Sequence, residues 1–294
     1  MRILLSGSSG FIGKPLLQFL KTRGDEVVSL VRSPSASGIC WDPERGRVCK
    51  DDFEGFDAVI HLAGENIGKG RWTKQRKQAI FMSRCRDSWL LSQVLTRLYS
   101  PPKTVICASA IGYYGNRGEE LLTEESSKGT GFLADLCERW EGSMQSIERR
   151  GARVVHARFG LVLSPSGGVM KQLLTLSRLC LAGRLGTGQQ IVSWIALEDL
   201  IGAICHLLAT PTLEGAVNLV APTATSQQHL METLCRRTKR PMGPPLPAWL
   251  LRLLLGEKAD ALLLSSAHVI PKKLLESGYN FAYPEIDAFN KGDS

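Results

Sequence analysis

Two groups of residues in the 294-residue chain have types and spacings that could do chemistry. The first lies in the segment "LLSGSSGFIG", where three glycines, Gly7, Gly10 and Gly13, are each separated by two residues. Glycines at such a turn let the backbone approach a pyrophosphate closely, and the N-terminus of a following helix offers unpaired N–H groups and a positive dipole end. The segment therefore predicts a dinucleotide site, which consists of Gly7, Ser8, Ser9, Gly10, Phe11, Ile12 and Gly13.

The second group lies in "VICASAIGYYG", residues 105–115. A β-branched run ends at Ser109, and two tyrosines, Tyr113 and Tyr114, follow it closely. Hydroxyl groups at the carboxyl end of a strand lie where ligands bind in open parallel sheets. Ser109 with one of the tyrosines is therefore a candidate catalytic pair, and the alternative is a plain strand end with its loop.

The residue that would select the cofactor lies about 20 positions beyond the glycines. There the segment "EVVSLVR" (26–32) ends in Arg32 and offers no carboxylate. A carboxylate would bind the ribose 2′-hydroxyl of NAD and repel a 2′-phosphate, whereas a guanidinium can pair with that phosphate through two hydrogen bonds. We therefore favour NADP(H) over NAD(H), with a merely solvated arginine as the alternative.

The elements that must position these residues alternate between strand and helix over the first 160 residues. The pattern predicts strands at 2–6, 26–32, 57–63, 104–109 and 153–160 and helices at 11–24, 74–98 and 131–149. Such alternation indicates a parallel sheet with helices on both faces. Later segments predict helices at 169–182, 196–209 and near 248–277, a strand at 215–221 and a proline-rich linker at 240–249.

We predict an α/β fold, a doubly wound parallel sheet with a smaller, mainly helical C-terminal substrate domain. The core domain would span residues 1–160, and residues 194–221 would return to it. Residues 161–193 and 222–294 would form the smaller domain.

The composition of the chain limits the classes of ligand and partner that we expect it to bind. The net charge of +8 arises from basic residues that are dispersed along the chain and accompany no nucleic-acid motif, so an anionic small ligand explains it better than nucleic acid. The eight cysteines form no C-x-x-C pair and the five histidines form no H-E-x-x-H motif, so the usual metal-site spacings are absent. We expect a cytoplasmic protein that takes a small-molecule substrate and no nucleic acid, membrane or metal.

Further segments carry a family resemblance: "DAVIHLAGE" (57–65), "RFGLVLSPSGG" (158–168), "WIALEDL" (194–200) and the tail at 262–284. Together with the glycine spacing and "SAIGYYG", they resemble the atypical "epimerase family" branch of the extended short-chain dehydrogenase/reductases, within the NAD(P)-dependent epimerase/dehydratase superfamily. The resemblance covers essentially the whole chain. It implies a Rossmann core with a smaller C-terminal substrate domain, and a lining of the adenosine half of the cofactor site by Leu62, Ala63 and Gly64.

The resemblance also implies an oxidoreductase or epimerase that acts on a carbonyl or hydroxyl group of a small molecule. In active members, a serine polarises the substrate oxygen, a tyrosine transfers the proton, and a lysine four residues after it lowers the tyrosine pKa. Ser109 fits the serine. The helix that should carry the other two reads "GFLADLCERWE" and has Leu133 and Cys137 at their places.

Three explanations of this departure stay open. Tyr114 replaces the lost tyrosine, so that Ser109 and Tyr114 are the catalytic residues. Alternatively, another acid such as Glu65 or Asp199 protonates the substrate. The third explanation is that no chemistry occurs and the chain is a non-catalytic NADP(H)-responsive sensor or scaffold.

Overall fold

The centre of the fold is a seven-stranded sheet, seen in a computed structural model that describes residues 1–32, 37–42 and 50–291. The strands are, in chain order, β1 (Arg2–Ser6), β2 (Glu26–Val31), β3 (Ile39–Cys40), β4 (Ala58–His61), β5 (Thr104–Ala110), β6 (Leu121–Leu122), β7 (Arg153–Phe159), β8 (Leu161–Leu163), β9 (Ile191–Val192), β10 (Trp194–Ala196), β11 (Gly215–Leu219), β12 (Thr225–Ser226) and β13 (His268–Val269). The large sheet has the order β11-β7-β5-β4-β1-β2-β3. Every neighbouring pair in it is parallel, so all its carboxyl ends meet at one edge.

Helices cover both faces of this sheet. They are α1 (Gly13–Thr22), α2 (Lys74–Phe81), α3 (Asp87–Thr96), α4 (Phe132–Gly142), α5 (Gln145–Arg149), α6 (Gly168–Arg178), α7 (Leu197–Ala209), α8 (Gln227–Thr238), α9 (Ala248–Leu255), α10 (Glu257–Leu262), α11 (Lys272–Glu276) and α12 (Ile286–Lys291). Because successive residues of a strand point to opposite faces, Ile3 and Leu5 pack against α1 and α7, whereas Leu4 packs in the core that holds α3 and α4. The predicted doubly wound α/β fold is confirmed.

Two predicted helices differ from those observed. The helix predicted over 74–98 is interrupted by one π-helical turn, Met82–Arg86, between α2 and α3. The helix predicted over 131–149 ends at Gly142 and resumes as α5 after Ser143 and Met144. The π turn matters for the site, because it directs Ser83 and Arg84 at the loop after β4.

The C-terminal part is tied together by short strand pairs and helices. β8 pairs with β10, β9 with β12, and β6 with β13. Helices α6 and α8 share a further apolar cluster with α12. The domain boundaries at 160, 193 and 221 stay a prediction. Within the described ranges, every helix falls short of the length and apolar character needed to cross a bilayer.

Candidate nucleotide site and adjoining polar network

The glycine turn between β1 and α1 is packed so tightly that Gly7 and Gly13 have no room for a Cβ. Gly7 has a φ of +74°, in the left-handed region that favours glycine. A Cβ on Gly7 would lie 3.0 Å from the backbone nitrogen of Ala63, and a Cβ on Gly13 would lie 2.0 Å from the carbonyl oxygen of Gly7. Gly10 completes the turn by donating its N–H to that same oxygen at 2.9 Å.

This turn leaves backbone donors without acceptors. The N–H groups of Phe11, Ile12 and Gly13 donate no hydrogen bond to any residue in the described ranges, and no side chain caps α1. Ser9 and Gly10 beside them are exposed. Three unpaired donors at the positive end of a helix dipole form an arrangement that suits a phosphate group. The residues that the sequence predicts for a dinucleotide therefore fit one.

The loop after β4 is fixed against the end of β1. The Ser6 Oγ accepts hydrogen bonds from the N–H groups of Leu62 and Ala63 at 3.1 and 3.2 Å. It also lies 2.7 Å from His61 Nδ1. Burial lowers the pKa of His61 to about 4, so this histidine is a neutral interior group that anchors the loop. Leu62 and Ala63 thus lie beside the glycine turn, and the lining of the adenosine half by Leu62, Ala63 and Gly64 stays a prediction.

Basic side chains surround the next residue, Glu65. Arg76 Nη1 donates to its carboxylate at 2.8 Å, and Arg84 Nη1 donates to its carbonyl oxygen at 2.8 Å. The hydrogen bond from Arg76 lowers the pKa of Glu65, and the charges of Arg32 and Lys69 act in the same direction. Arg32 itself is exposed at the end of β2. The sequence indicated Arg32 but not Arg76 or Arg84, because no spacing in the chain reveals that α2 and the π turn lie against this loop.

The second candidate group lies on the neighbouring strands. Ser109, Arg158 and Asn218 are in register on β5, β7 and β11, so they form a row near the carboxyl edge of the sheet. Ser109 Oγ donates to Glu141 Oε1 of α4 at 2.7 Å. Arg158 donates to both oxygens of Glu141 at 2.8 and 2.9 Å, and its side chain is only 4% exposed. The serine therefore belongs to a buried ion-pair network.

Tyr114 extends this network in the interior. Its side chain is fully buried, and its hydroxyl donates to Asn218 Oδ1 at 2.8 Å and accepts from Arg158 Nη1 at 2.9 Å. Burial raises the pKa of Tyr114, although the Arg158 charge opposes that shift. The catalytic role of Tyr114 stays a prediction, and this geometry counts against it, because its proton could leave only if the network opened.

The neighbouring Tyr113 has a different environment. It is half-buried, and the Arg158 guanidinium carbon lies 3.6 Å from its ring centroid. Its hydroxyl makes no hydrogen bond to any residue that the structure describes. Tyr113 therefore offers a hydroxyl next to the row without the constraints that hold Tyr114.

The α4 face that should carry a tyrosine and a lysine is apolar. Leu133 packs against Gly112, where an added Cβ would lie 3.2 Å from the leucine Cβ. Cys137 is buried with its Sγ 3.6 Å from the carbonyl oxygen of Ala110, and burial raises its pKa to about 12. Neither side chain can replace the missing acid–base pair.

The other acid considered from the sequence, Asp199, holds the tail of the chain. Its two carboxylate oxygens accept the N–H groups of Ala282 and Tyr283 at 2.7 and 2.8 Å. The side chain is 3% exposed, and burial raises its pKa. Asp199 is therefore engaged in joining α7 to the C-terminal segment.

Comparison with known proteins places this arrangement in a family. The model of the "NAD dependent epimerase/dehydratase family" matches residues 3–219, and a domain of unknown function, DUF1731, matches residues 246–289. Epimerase family protein Mb2239 of Mycobacterium bovis is 37% identical over 286 residues, which cover 97% of this chain and 94% of that protein. Human epimerase family protein SDR39U1 is 32% identical over 291 residues, which cover 98% of each chain.

A solved structure agrees with these sequence matches. The crystal structure of human epimerase family protein SDR39U1 (isoform 2) with NADPH has a TM-score of 0.91 and 32% identity to this chain, and the match covers 99% of this chain and 98% of that one. The resemblance inferred from the sequence motifs is confirmed. The chain belongs to the NAD dependent epimerase/dehydratase family, among the epimerase family proteins that it matches over nearly its whole length.

Proposed function

We propose that this chain binds NADP(H) at its glycine turn and works as an atypical oxidoreductase or epimerase on a carbonyl or hydroxyl group of a small molecule. The observation that carries the proposal is that the N–H groups of Phe11, Ile12 and Gly13 have no acceptor among the described residues. They lie beside Gly7 and Gly13, where a Cβ has no room. The human relative whose structure contains NADPH supports the choice of nucleotide.

The residues divide the nucleotide between them. The glycine turn and the start of α1 would hold the pyrophosphate, Arg32 would meet the 2′-phosphate, and Leu62, Ala63 and Gly64 would line the adenosine half. When bound, the nicotinamide supplies or accepts a hydride. Ser109 at the carboxyl edge would hold the substrate oxygen, with Tyr114 as the proton donor named from the sequence and Tyr113 as the neighbouring hydroxyl.

A second candidate function is a non-catalytic NADP(H)-responsive sensor or scaffold. The observation that favours it is the engagement of both predicted catalytic hydroxyls in buried hydrogen bonds, next to an α4 face that presents Leu133 and Cys137. Such a protein would need the nucleotide-binding residues, but it would not need a side chain that donates a proton to a substrate.

Nucleotide binding is tested by titrating NADPH and NADH against the wild type and Arg32→Ala. We expect NADPH to bind the wild type about 10- to 100-fold more tightly than NADH, because a charge-assisted contact to the extra phosphate is lost with NADH. Arg32→Ala should remove most of this preference. The matched control is Arg97→Ala, an exposed arginine at the end of α3, on the side where β5 begins, opposite the carboxyl edge. Equal affinity of the wild type for both nucleotides would refute the NADP(H) assignment.

Catalysis is tested by NADPH-dependent turnover of a panel of aldehydes, ketones and sugar nucleotides. Ser109→Ala, Tyr114→Phe and Tyr113→Phe are compared with the wild type, and NADPH affinity is measured for each variant as a control for folding. Loss of turnover with retained NADPH binding assigns the altered residue to the chemistry. Unchanged turnover in the Ser109 and Tyr114 variants removes both from it, and NADPH binding without any turnover favours the sensor.

A further inference from the structure

The carboxylate of Glu65 is the centre of a compact group of charges beside the nucleotide site. Arg76 Nη1 lies 2.8 Å from its Oε1, and Arg76 Nη2 donates to the carbonyl oxygen of Asn66. The backbone of Arg76 is fixed as well, since its N–H donates to Oγ1 of the N-cap residue Thr73 at 3.1 Å. The Arg76 side chain is 20% exposed and that of Glu65 is 34% exposed, so solute anions can reach the pair.

The place of this group in the sheet suggests what it binds. Strand β1 lies between β4 and β2, so the Glu65 loop and Arg32 lie on the two sides of the glycine turn at the same edge. In sheets of this type the ribose 2′ position lies near the end of β2. The positive charge of Arg32 also helps to lower the pKa of Glu65, in keeping with this placement. Arg76 thus lies where a second cation could meet a 2′-phosphate.

Arg76 also has donor capacity that its present contacts leave unused. Its Nε is buried and makes no hydrogen bond in the described part of the chain. Glu65 contributes one negative charge to this group, whereas Arg32, Arg76 and Lys69 each contribute one positive charge. The group therefore has a net positive charge. A phosphate bears more negative charge than a carboxylate and has three acceptor oxygens.

We propose that Arg76 is a ligand of the ribose 2′-phosphate and that Glu65 is its internal counter-ion, which the phosphate displaces when NADP(H) binds. This inference rests on the proposed binding of NADP(H). Glu65 keeps Arg76 paired in the absence of nucleotide and competes with the phosphate for it. The pair therefore sets the preference for phosphorylated over unphosphorylated nucleotides.

The test uses the full chain and four probes, NADPH, NADH, 2′,5′-ADP and 5′-AMP, titrated by calorimetry. Arg76→Gln should weaken binding of NADPH and 2′,5′-ADP by about 10- to 100-fold, the loss of one charge-assisted contact, and should change NADH and 5′-AMP by less than about threefold. Glu65→Gln should strengthen binding of the two 2′-phosphorylated probes by about threefold or more, because a competing anion is gone. The exposed Arg97→Gln is the control and should change nothing.

The outcomes separate this inference from the proposed function. If the wild type binds NADPH preferentially and Arg76→Gln leaves that preference intact, the role of Arg76 is refuted and NADP(H) binding stands. If Glu65→Gln weakens NADPH binding, the carboxylate supports the site instead of competing for it, and the counter-ion role is refuted. If the wild type binds neither NADPH nor 2′,5′-ADP, the proposed function fails and this inference fails with it.

A second variant keeps the test decisive if Arg76→Gln fails to fold. Arg76→Lys keeps the charge but loses the planar two-donor geometry, so it should retain the pairing with Glu65 and show a smaller loss of 2′,5′-ADP affinity than Arg76→Gln. A lysine variant with wild-type affinity for all four probes would overturn the assignment of a two-donor phosphate contact.

Discussion

Tyr113 and Tyr114 are adjacent tyrosines with opposite surroundings, so phenylalanine at each position forms a matched pair. Tyr114→Phe removes a buried hydroxyl that donates to Asn218 and accepts from Arg158. Tyr113→Phe removes a hydroxyl that makes no hydrogen bond within the described ranges. Both changes delete one oxygen atom and keep the ring.

The expected magnitudes follow from these contacts. Tyr114→Phe loses one bond to a neutral amide, about 0.5–1.5 kcal/mol, and one to a charged guanidinium, about 1.5–3 kcal/mol. Because Asn218 and Arg158 stay buried, neither regains water as a partner, and the free energy of unfolding should fall by about 2–4 kcal/mol. Tyr113→Phe should change it by no more than about 0.5 kcal/mol.

Urea unfolding of the nucleotide-free protein, followed by tryptophan fluorescence, measures the difference. The midpoint of Tyr114→Phe should be clearly lower than that of the wild type, and the midpoint of Tyr113→Phe should match it. Equal midpoints for the two variants would refute the argument that hydrogen bonds hold the Tyr114 hydroxyl in the network. That result would favour Tyr114 as a proton donor.

Three further outcomes are expected. Gly13→Ala should abolish or strongly weaken NADPH binding and lower the free energy of unfolding by about 1–3 kcal/mol, because the alanine Cβ would lie 2.0 Å from the Gly7 carbonyl oxygen. An unchanged NADPH titration and an unchanged melting temperature would contradict this. His61 has a pKa of about 4 in the folded protein, against an ordinary value of 6.5. Between these pH values the unfolded chain binds a proton at His61 that the folded protein does not bind. The free energy of unfolding should therefore fall by up to about 3 kcal/mol as the pH drops from 6.5 to 4. His61→Gln should flatten that part of a urea-midpoint profile, and an equally steep profile in the variant would refute it. Ser226→Ala should lower the unfolding free energy by about 1 kcal/mol, because its hydroxyl caps α8 by accepting the His229 N–H at 3.1 Å; an unchanged midpoint would contradict the cap.

The centre of the sheet could be predicted from the sequence because β1, β4 and β5 are buried on both faces and appear as short apolar runs. The predicted strand 2–6 is β1 itself, and the strand predicted over 153–160 ends one residue beyond β7. Ser226 caps α8, in keeping with the preference of helix N-termini for serine. Local signals of this kind need no knowledge of distant contacts.

The π turn at Met82–Arg86 shows where local signals fail. An apolar periodicity cannot distinguish one added residue in a helical turn from a continuous α-helix. What distinguishes them is the loop after β4, since Ser83 accepts the Glu65 N–H at 3.0 Å and Arg84 donates to the Glu65 carbonyl oxygen. These contacts join residues 18 and 19 positions apart in sequence.

Ser109 lies near the carboxyl end of a strand, as its sequence context predicts, but its hydrogen bonds could not be predicted from the sequence, and its catalytic role stays a prediction. Ser109, Glu141 and Arg158 come from three separate elements, and their hydrogen bonds depend on how α4 packs across β5 and β7. The sequence therefore indicates a serine at the carboxyl end of a strand, and it gives no sign that a buried carboxylate already accepts a hydrogen bond from that serine.

That bonding distinguishes the two predicted catalytic hydroxyls chemically. Ser109 has one proton, so it can donate to a substrate oxygen only by releasing Glu141. Glu141 would still accept two hydrogen bonds from Arg158, so the exchange trades one bond for another and leaves the buried carboxylate paired. If Tyr114 gave up its proton, it would become a buried phenolate and would leave the Asn218 Oδ1 without its donor. The contact with Arg158 offsets only part of this cost, because burial still raises the pKa of Tyr114. Ser109 is therefore the stronger candidate for oxygen binding, and a search for the missing acid should begin with Tyr113.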